Sequence, residues 1–214
     1  NLGWMYKNGK GVKKNYEKAI KYYELASDQG DELAQYNLGL LYHQGDGVKK
    51  DLKKAIELYL SASENNVPKA QYNLGLIYKN GEGSKQDLKK AFNFFFLASQ
   101  NNLPKAHYQL GLLYKNGKGI EQNIEEAIKL LKLSASKGID TSLKQLASLG
   151  VIYNPDETDS KIPEKNEVNL DLSKNDVQVA QTNDLETLQE KIRSLEMRLE
   201  KVQKQVVNTN SKKL

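Results

Sequence analysis

The chain has 214 residues with 32 Lys and Arg against 27 Asp and Glu, no cysteine, two histidines, and a mean hydropathy of −0.70. The lack of cysteine excludes disulfide frameworks, thiolate metal sites and cysteine nucleophiles, and no apolar run approaches the roughly 18 residues of a membrane span. Residues 1–150 hold 22 cations against 15 acids and residues 151–214 hold 10 against 12, yet arginine is nearly absent and lysines alternate with acids, which speaks for a solvated mixed-sign surface and against nucleic acid as a partner.

From the first residue, one block of 36 residues is written four times: 1–36, 37–72, 73–108 and 109–144 align without a gap, and a partial cap follows at 145–152. A fixed period of this size marks a supersecondary unit stacked on copies of itself. The predicted fold class is therefore all-α, an α-solenoid of helix-turn-helix repeats, and function is to be sought along a surface rather than in one pocket. Asn1 falls inside a repeat helix, so the sequence is expected to lack its natural start; a catalytic domain or further repeats could precede it, and the compartment stays open with a lean toward the cytoplasm.

In the third repeat the first helix is predicted to begin at Pro68, where the missing N–H of proline costs nothing, and to run through AQYNLGLIYKN. Ala70, Leu74 and Tyr78 form its core stripe, flanked by Gly75. Gly81 and Gly83 break it, Asp87 is the N-cap of the second helix, and Ala91, Phe92, Phe95 and Ala98 form that helix's apolar side. The equivalents are Leu2, Leu38, Leu74 and Leu110; Gly3, Gly39, Gly75 and Gly111; Tyr6, Tyr42, Tyr78 and Tyr114. The N-caps are Asn15, Asp51, Asp87 and Asn123, the last expected to form a capping box with Glu126. Gly30, Asn66, Asn102 and Gly138 end the second helices, as residues that tolerate a left-handed turn. A glycine inside a helix costs up to about 1 kcal/mol relative to alanine, so its recurrence predicts close approach of the partner helix.

Beyond Tyr153 the composition changes. Residues 153–183, with Pro155, Pro163 and many acids, read as a disordered linker. In residues 184–207, Leu185, Ile192, Leu199 and Val206 take the a positions of heptads and Leu188, Leu195 and Val202 the d positions, which predicts a short coiled coil. Self-association, coiling with a partner and packing back on the solenoid are all compatible with it. Residues 208–214 read as a disordered tail.

The pattern Ala34, Leu38, Gly39, Tyr42, Gly45, Gly47, Val48, Asp51, Lys54, Ala55 resembles the Sel-1-like repeat family, a relative of the tetratricopeptide repeats, and the resemblance extends to about residue 152. It implies a right-handed solenoid that acts as an interaction scaffold without catalytic residues, with the first helices lining the concave side. On that face Tyr36, Tyr72 and Tyr108 form a row beside Leu40, Leu76 and Leu112, with Trp4 at the matching place in the first repeat. These seven residues are either structural or the anchors of a partner-binding groove edged by lysine.

Candidate chemistry is otherwise thin. The glycine-bearing loops read as turns, His43 and His107 have no third ligand type beside them, and no nucleophile and base pair emerges. No catalytic residue, cofactor or metal is expected. The predicted function is a non-catalytic scaffold or adaptor for other proteins or extended peptides, with possible homo-oligomerisation through the coiled coil; the alternative is a regulatory repeat region of a larger enzyme or signalling protein.

Overall fold

The structure is a computed structural model that describes residues 2–83 and 85–155. The heptads, the tail and all but the first three residues of the linker lie outside the described residues. Among the described residues there are nine helices and no strand: α1 (Leu2–Asn8), α2 (Tyr16–Ser27), α3 (Glu32–Gln44), α4 (Leu52–Glu64), α5 (Pro68–Asn80), α6 (Leu88–Gln100), α7 (Pro104–Asn116), α8 (Ile124–Ser136) and α9 (Thr141–Ser148). Substantial contacts run between successive helices, and they are more extensive inside a repeat than from one repeat to the next. This is the nearest-neighbour pattern of a solenoid.

The helices start and stop where the sequence chemistry requires. Asn15, Asp51, Asp87 and Asn123 each accept, through the side chain, the amide three residues on, that of Lys18, Lys54, Lys90 and Glu126. Their own amides donate to the carbonyls of Tyr6, Tyr42, Tyr78 and Tyr114, at 2.9 to 3.0 Å. This corrects the expected capping box at Asn123: its N–H is already held by Tyr114, and Glu126 turns to Lys129 instead, at 3.0 Å. Asn66 and Asn102 carry positive φ values of 58° and 54°, in the places where Gly30 and Gly138 do the same work.

The recurring helix glycines are explained by contact. A Cβ built on Gly39 would lie 2.9 Å from the Tyr59 ring, on Gly75 2.6 Å from the Phe95 ring, and on Gly111 2.9 Å from Leu131. Each glycine thus lets the second helix of its own repeat press a large side chain against the first helix's backbone. Tyr59, Phe95 and Leu131 are completely buried there, together with Ala55, Ala91 and Ala127. The core also takes Leu41, Ile77 and Leu113, one helical position beyond the predicted stripe. The first helices are therefore buried on two sides, against their own repeat and against the repeat before.

Candidate functional site

The seven residues singled out for partner binding divide by depth. Trp4 is 46% exposed, whereas Tyr36, Leu40, Tyr72, Leu76, Tyr108 and Leu112 are all half-buried. The Tyr36 ring rests against Tyr59 with centroids 6.0 Å apart, and Tyr72 against Phe95 at 5.7 Å. Burial pushes the hydroxyls of Tyr36 and Tyr72 up from their ordinary pKa, partly offset by hydrogen bonds to Asn73 and Gln109 of the following repeat. Each of these two tyrosines thus joins its own second helix to the next first helix, with part of the ring still open.

Beside this row runs a second one that the sequence reading had noted only as an edge. Lys7, His43, Lys79 and Lys115 stand in the last turn of successive first helices, where the lysine ammonium groups complement the helix dipole. Each faces the repeat that follows. Lys79 donates to Gln109 at 2.9 Å, and Lys115 to Gln145 at 2.8 Å and Ser148 at 2.6 Å. His43 bridges the hydroxyl of buried Tyr59 at 3.3 Å and the Glu82 carboxylate at 3.2 Å. The Glu82 carboxyl is lowered from its ordinary pKa chiefly by its hydrogen bond to Asn80; burial opposes this, and the hydrogen bond to His43 adds a smaller lowering.

Between the third and fourth repeats lies a cavity of about 600 Å³, lined by residues that include Lys79, Leu88, Gln109, Leu112, Leu113 and Lys118. Burial, and then the charge of Lys118, hold the Lys79 ammonium below its ordinary pKa. His107, by contrast, is a packing residue. It is almost wholly buried, its imidazole is held below the ordinary pKa by that burial, and it bonds the Ser99 carbonyl much as Gln71 bonds that of Ser63. Its Nδ1 finds no hydrogen-bond partner. His43 and His107 are thus in different surroundings, and no group of three or more His, Cys, Asp or Glu among the described residues could hold a metal. No helix of the described residues is long and apolar enough to cross a membrane.

The Sel1 repeat model matches this chain four times, at residues 1–31, 33–67, 68–103 and 104–139. The chain belongs to the Sel1 repeat family. The matches from the second onward begin at or near the first residue of a first helix, so the family's unit is the helix pair, α3 with α4, α5 with α6, and α7 with α8.

Among solved structures, a Sel1 repeat protein from Oxalobacter formigenes is 33% identical with a TM-score of 0.66, over 72% of this chain and 64% of that one. A protective antigen of uropathogenic Escherichia coli with an SLR fold is 30% identical, also with a TM-score of 0.66, over 72% of this chain and 34% of its own. Cysteine-rich protein B of Helicobacter pylori is 28% identical with a TM-score of 0.50, over 64% of this chain and 99% of its own. The chain thus spans about two thirds and one third of the first two relatives. No curated protein matches it. Sel1 repeats commonly serve as protein-interaction scaffolds, and Sel1 proteins are generally non-catalytic. In this Sel1 chain the helix pairs stand without any cysteine, on packing and capping alone.

The sequence shows the lysine edge of this face but not the loop position opposite it. The loop position three residues after each last-turn cation is Lys10, Asp46, Glu82 and Lys118. Its variation is the signal that could have been read, because the glycines on either side of it repeat without change.

Proposed function

We propose that this chain is a non-catalytic scaffold or adaptor that holds an extended segment of a partner protein along the first-helix face. Trp4, Tyr36, Leu40, Tyr72, Leu76, Tyr108 and Leu112 are its anchors. The observation that carries this reading is partial exposure repeated at the 36-residue period: the tyrosine and leucine keep an open edge in every complete repeat, while the equivalent alanines Ala34, Ala70 and Ala106 are fully buried. Tyrosine and tryptophan with one packed and one open edge make low-entropy anchors. A partner lying along the face meets the same pair of side chains once per repeat. Pairing through Leu185, Leu188, Ile192, Leu195, Leu199, Val202 and Val206 would add avidity by placing two such faces in one assembly.

The test is the double variant Tyr72→Ser/Tyr108→Ser, compared with the parent for partner capture and for thermal unfolding. Loss of partners with the helical signal retained supports the groove; a folded variant that keeps all its partners sinks it. Light scattering of the chain with and without residues 184–207 addresses the heptads. An unchanged monomer mass would rule out stable self-association.

A further inference from the structure

The junctions between successive repeats are built alike but charged differently. At the first junction Lys7 faces Asp46, whose charge favours the ammonium against the effect of burial. At the second, His43 faces Glu82 at 3.2 Å. Asp46, Glu82 and Lys118 occupy one and the same loop position, 36 residues apart. At the third junction, therefore, the acid is replaced by a cation: Lys79, which donates to Gln109 at 2.9 Å, lines the same cavity as the exposed Lys118. The cavity of about 600 Å³ lies at this place, and no acidic residue is among its lining. Of the acids close by in the chain, Asp87 caps the Lys90 amide and Glu82 is turned to His43 of the preceding repeat, and neither they nor Glu121 line the cavity.

Two like charges beside a half-buried cavity are a destabilising arrangement unless an anion completes it. The rest of the lining says which anion. Beside the amides of Asn80, Gln86, Gln109 and Asn116, which can bond a peptide backbone, Leu88, Leu112 and Leu113 give the cavity an apolar wall that an inorganic ion would leave unused and a polypeptide side chain would cover. The volume lies in the range of sites that enclose organic groups. Leu112 also belongs to the face proposed above for an extended segment, so the cavity is continuous with it.

We propose that the cleft between the third and fourth repeats binds a carboxylate of a partner polypeptide, with Lys79 and Lys118 as its cations and Leu88, Leu112 and Leu113 seating the apolar residue next to it. The ligand supplies the acid that Asp46 and Glu82 supply at the first two junctions. The inference rests on the peptide-binding reading and narrows it to acidic segments.

The probe is a dye-labelled, end-blocked octapeptide of alternating leucine and glutamate, and its control replaces every glutamate by glutamine. Binding of both to the full chain is measured by fluorescence anisotropy at low salt. The glutamate peptide is expected to bind at least about tenfold more tightly than the control, and Lys118→Glu is expected to remove that difference. This variant restores the charge arrangement of the first two junctions, so its melting temperature is expected to equal or exceed the parent's. Equal affinity for the two peptides, no binding of the glutamate peptide, or unchanged binding by Lys118→Glu overturns the proposal. Displacement of the peptide by millimolar phosphate at constant ionic strength overturns the assignment to a polypeptide in favour of a free anion. Loss of binding in Tyr72→Ser/Tyr108→Ser but not in Lys118→Glu leaves the groove standing and removes the cleft; the reverse result keeps the cleft and removes the tyrosine face.

Discussion

The seam inside a repeat and the junction between repeats follow different rules. Inside, a backbone glycine meets a large apolar side chain, Gly39 with Tyr59, Gly75 with Phe95 and Gly111 with Leu131, and the geometry hardly changes from one repeat to the next. Between repeats, the pair at the same place runs from Lys7 and Asp46 through His43 and Glu82 to Lys79 and Lys118. Steric contact fixes the seam because close-packed interiors tolerate few shapes. The polar pair at the edge of the junction is partly exposed and open to variation. The fold resides in the first, and the proposed recognition in the second.

The strongest challenge to this division is at Phe95. Removing a completely buried aromatic ring costs about 3–5 kcal/mol, so Phe95→Ala is expected to lower the urea midpoint more than any junction variant. Gly75→Ala alone gains about 1 kcal/mol of helix propensity but forces a methyl group within 2.6 Å of the Phe95 ring, and overpacking of this kind costs about 1–3 kcal/mol. A net loss is expected. Introduced on top of Phe95→Ala, the same substitution should become neutral or stabilising, and a double-mutant cycle that shows simple additivity would refute the steric account of the seam.

The caps come next in size. Asp87→Ala removes the acceptor for the Lys90 amide and is expected to cost about 1 kcal/mol in chemical unfolding. The junction predictions are smaller and depend on conditions. Burial holds the His107 imidazole below its ordinary value of 6.5, so the unfolded chain binds the proton more readily than the folded one. Stability is then complete above that value and declines as the pH falls through it toward the lowered folded pKa. His107→Gln, which copies Gln71, should flatten this acid limb in melting temperatures taken across the range; an unchanged limb would show that other groups control it. Smallest of all, Lys118→Glu should raise stability by less than about 1 kcal/mol, because the pair it forms with Lys79 is partly exposed. That gain should vanish at high salt.

Periodicity made the seam legible before any coordinates. Prolines, caps, left-handed asparagines and helix glycines each recur at one spacing, and each has a single physical reason to do so. Two kinds of detail escaped. Ile77 lies outside the stripe of Ala70, Leu74 and Tyr78 yet is completely buried, on a helix that packs against both α4 and α6; a helix read in isolation has neither neighbour. The capping box at Asn123 was misread because the competing acceptor, the Tyr114 carbonyl, lies nine residues earlier in chain and next to it only in space. The junction was hidden for another reason: a column that reads Asp46, Glu82, Lys118 is noise to a repeat pattern and becomes a signal only when Lys7, His43 and Lys79 are seen facing it.

The tie from each N-cap amide to the tyrosine carbonyl of its own first helix has a mechanical consequence. It closes every loop within one repeat, so little slack is shared with the neighbour. Pulled from its ends, such a chain should lengthen in discrete steps, each releasing one helix pair and about 120 Å of contour, while the remainder keeps its grip. Force spectroscopy would record a sawtooth whose spacing counts the repeats.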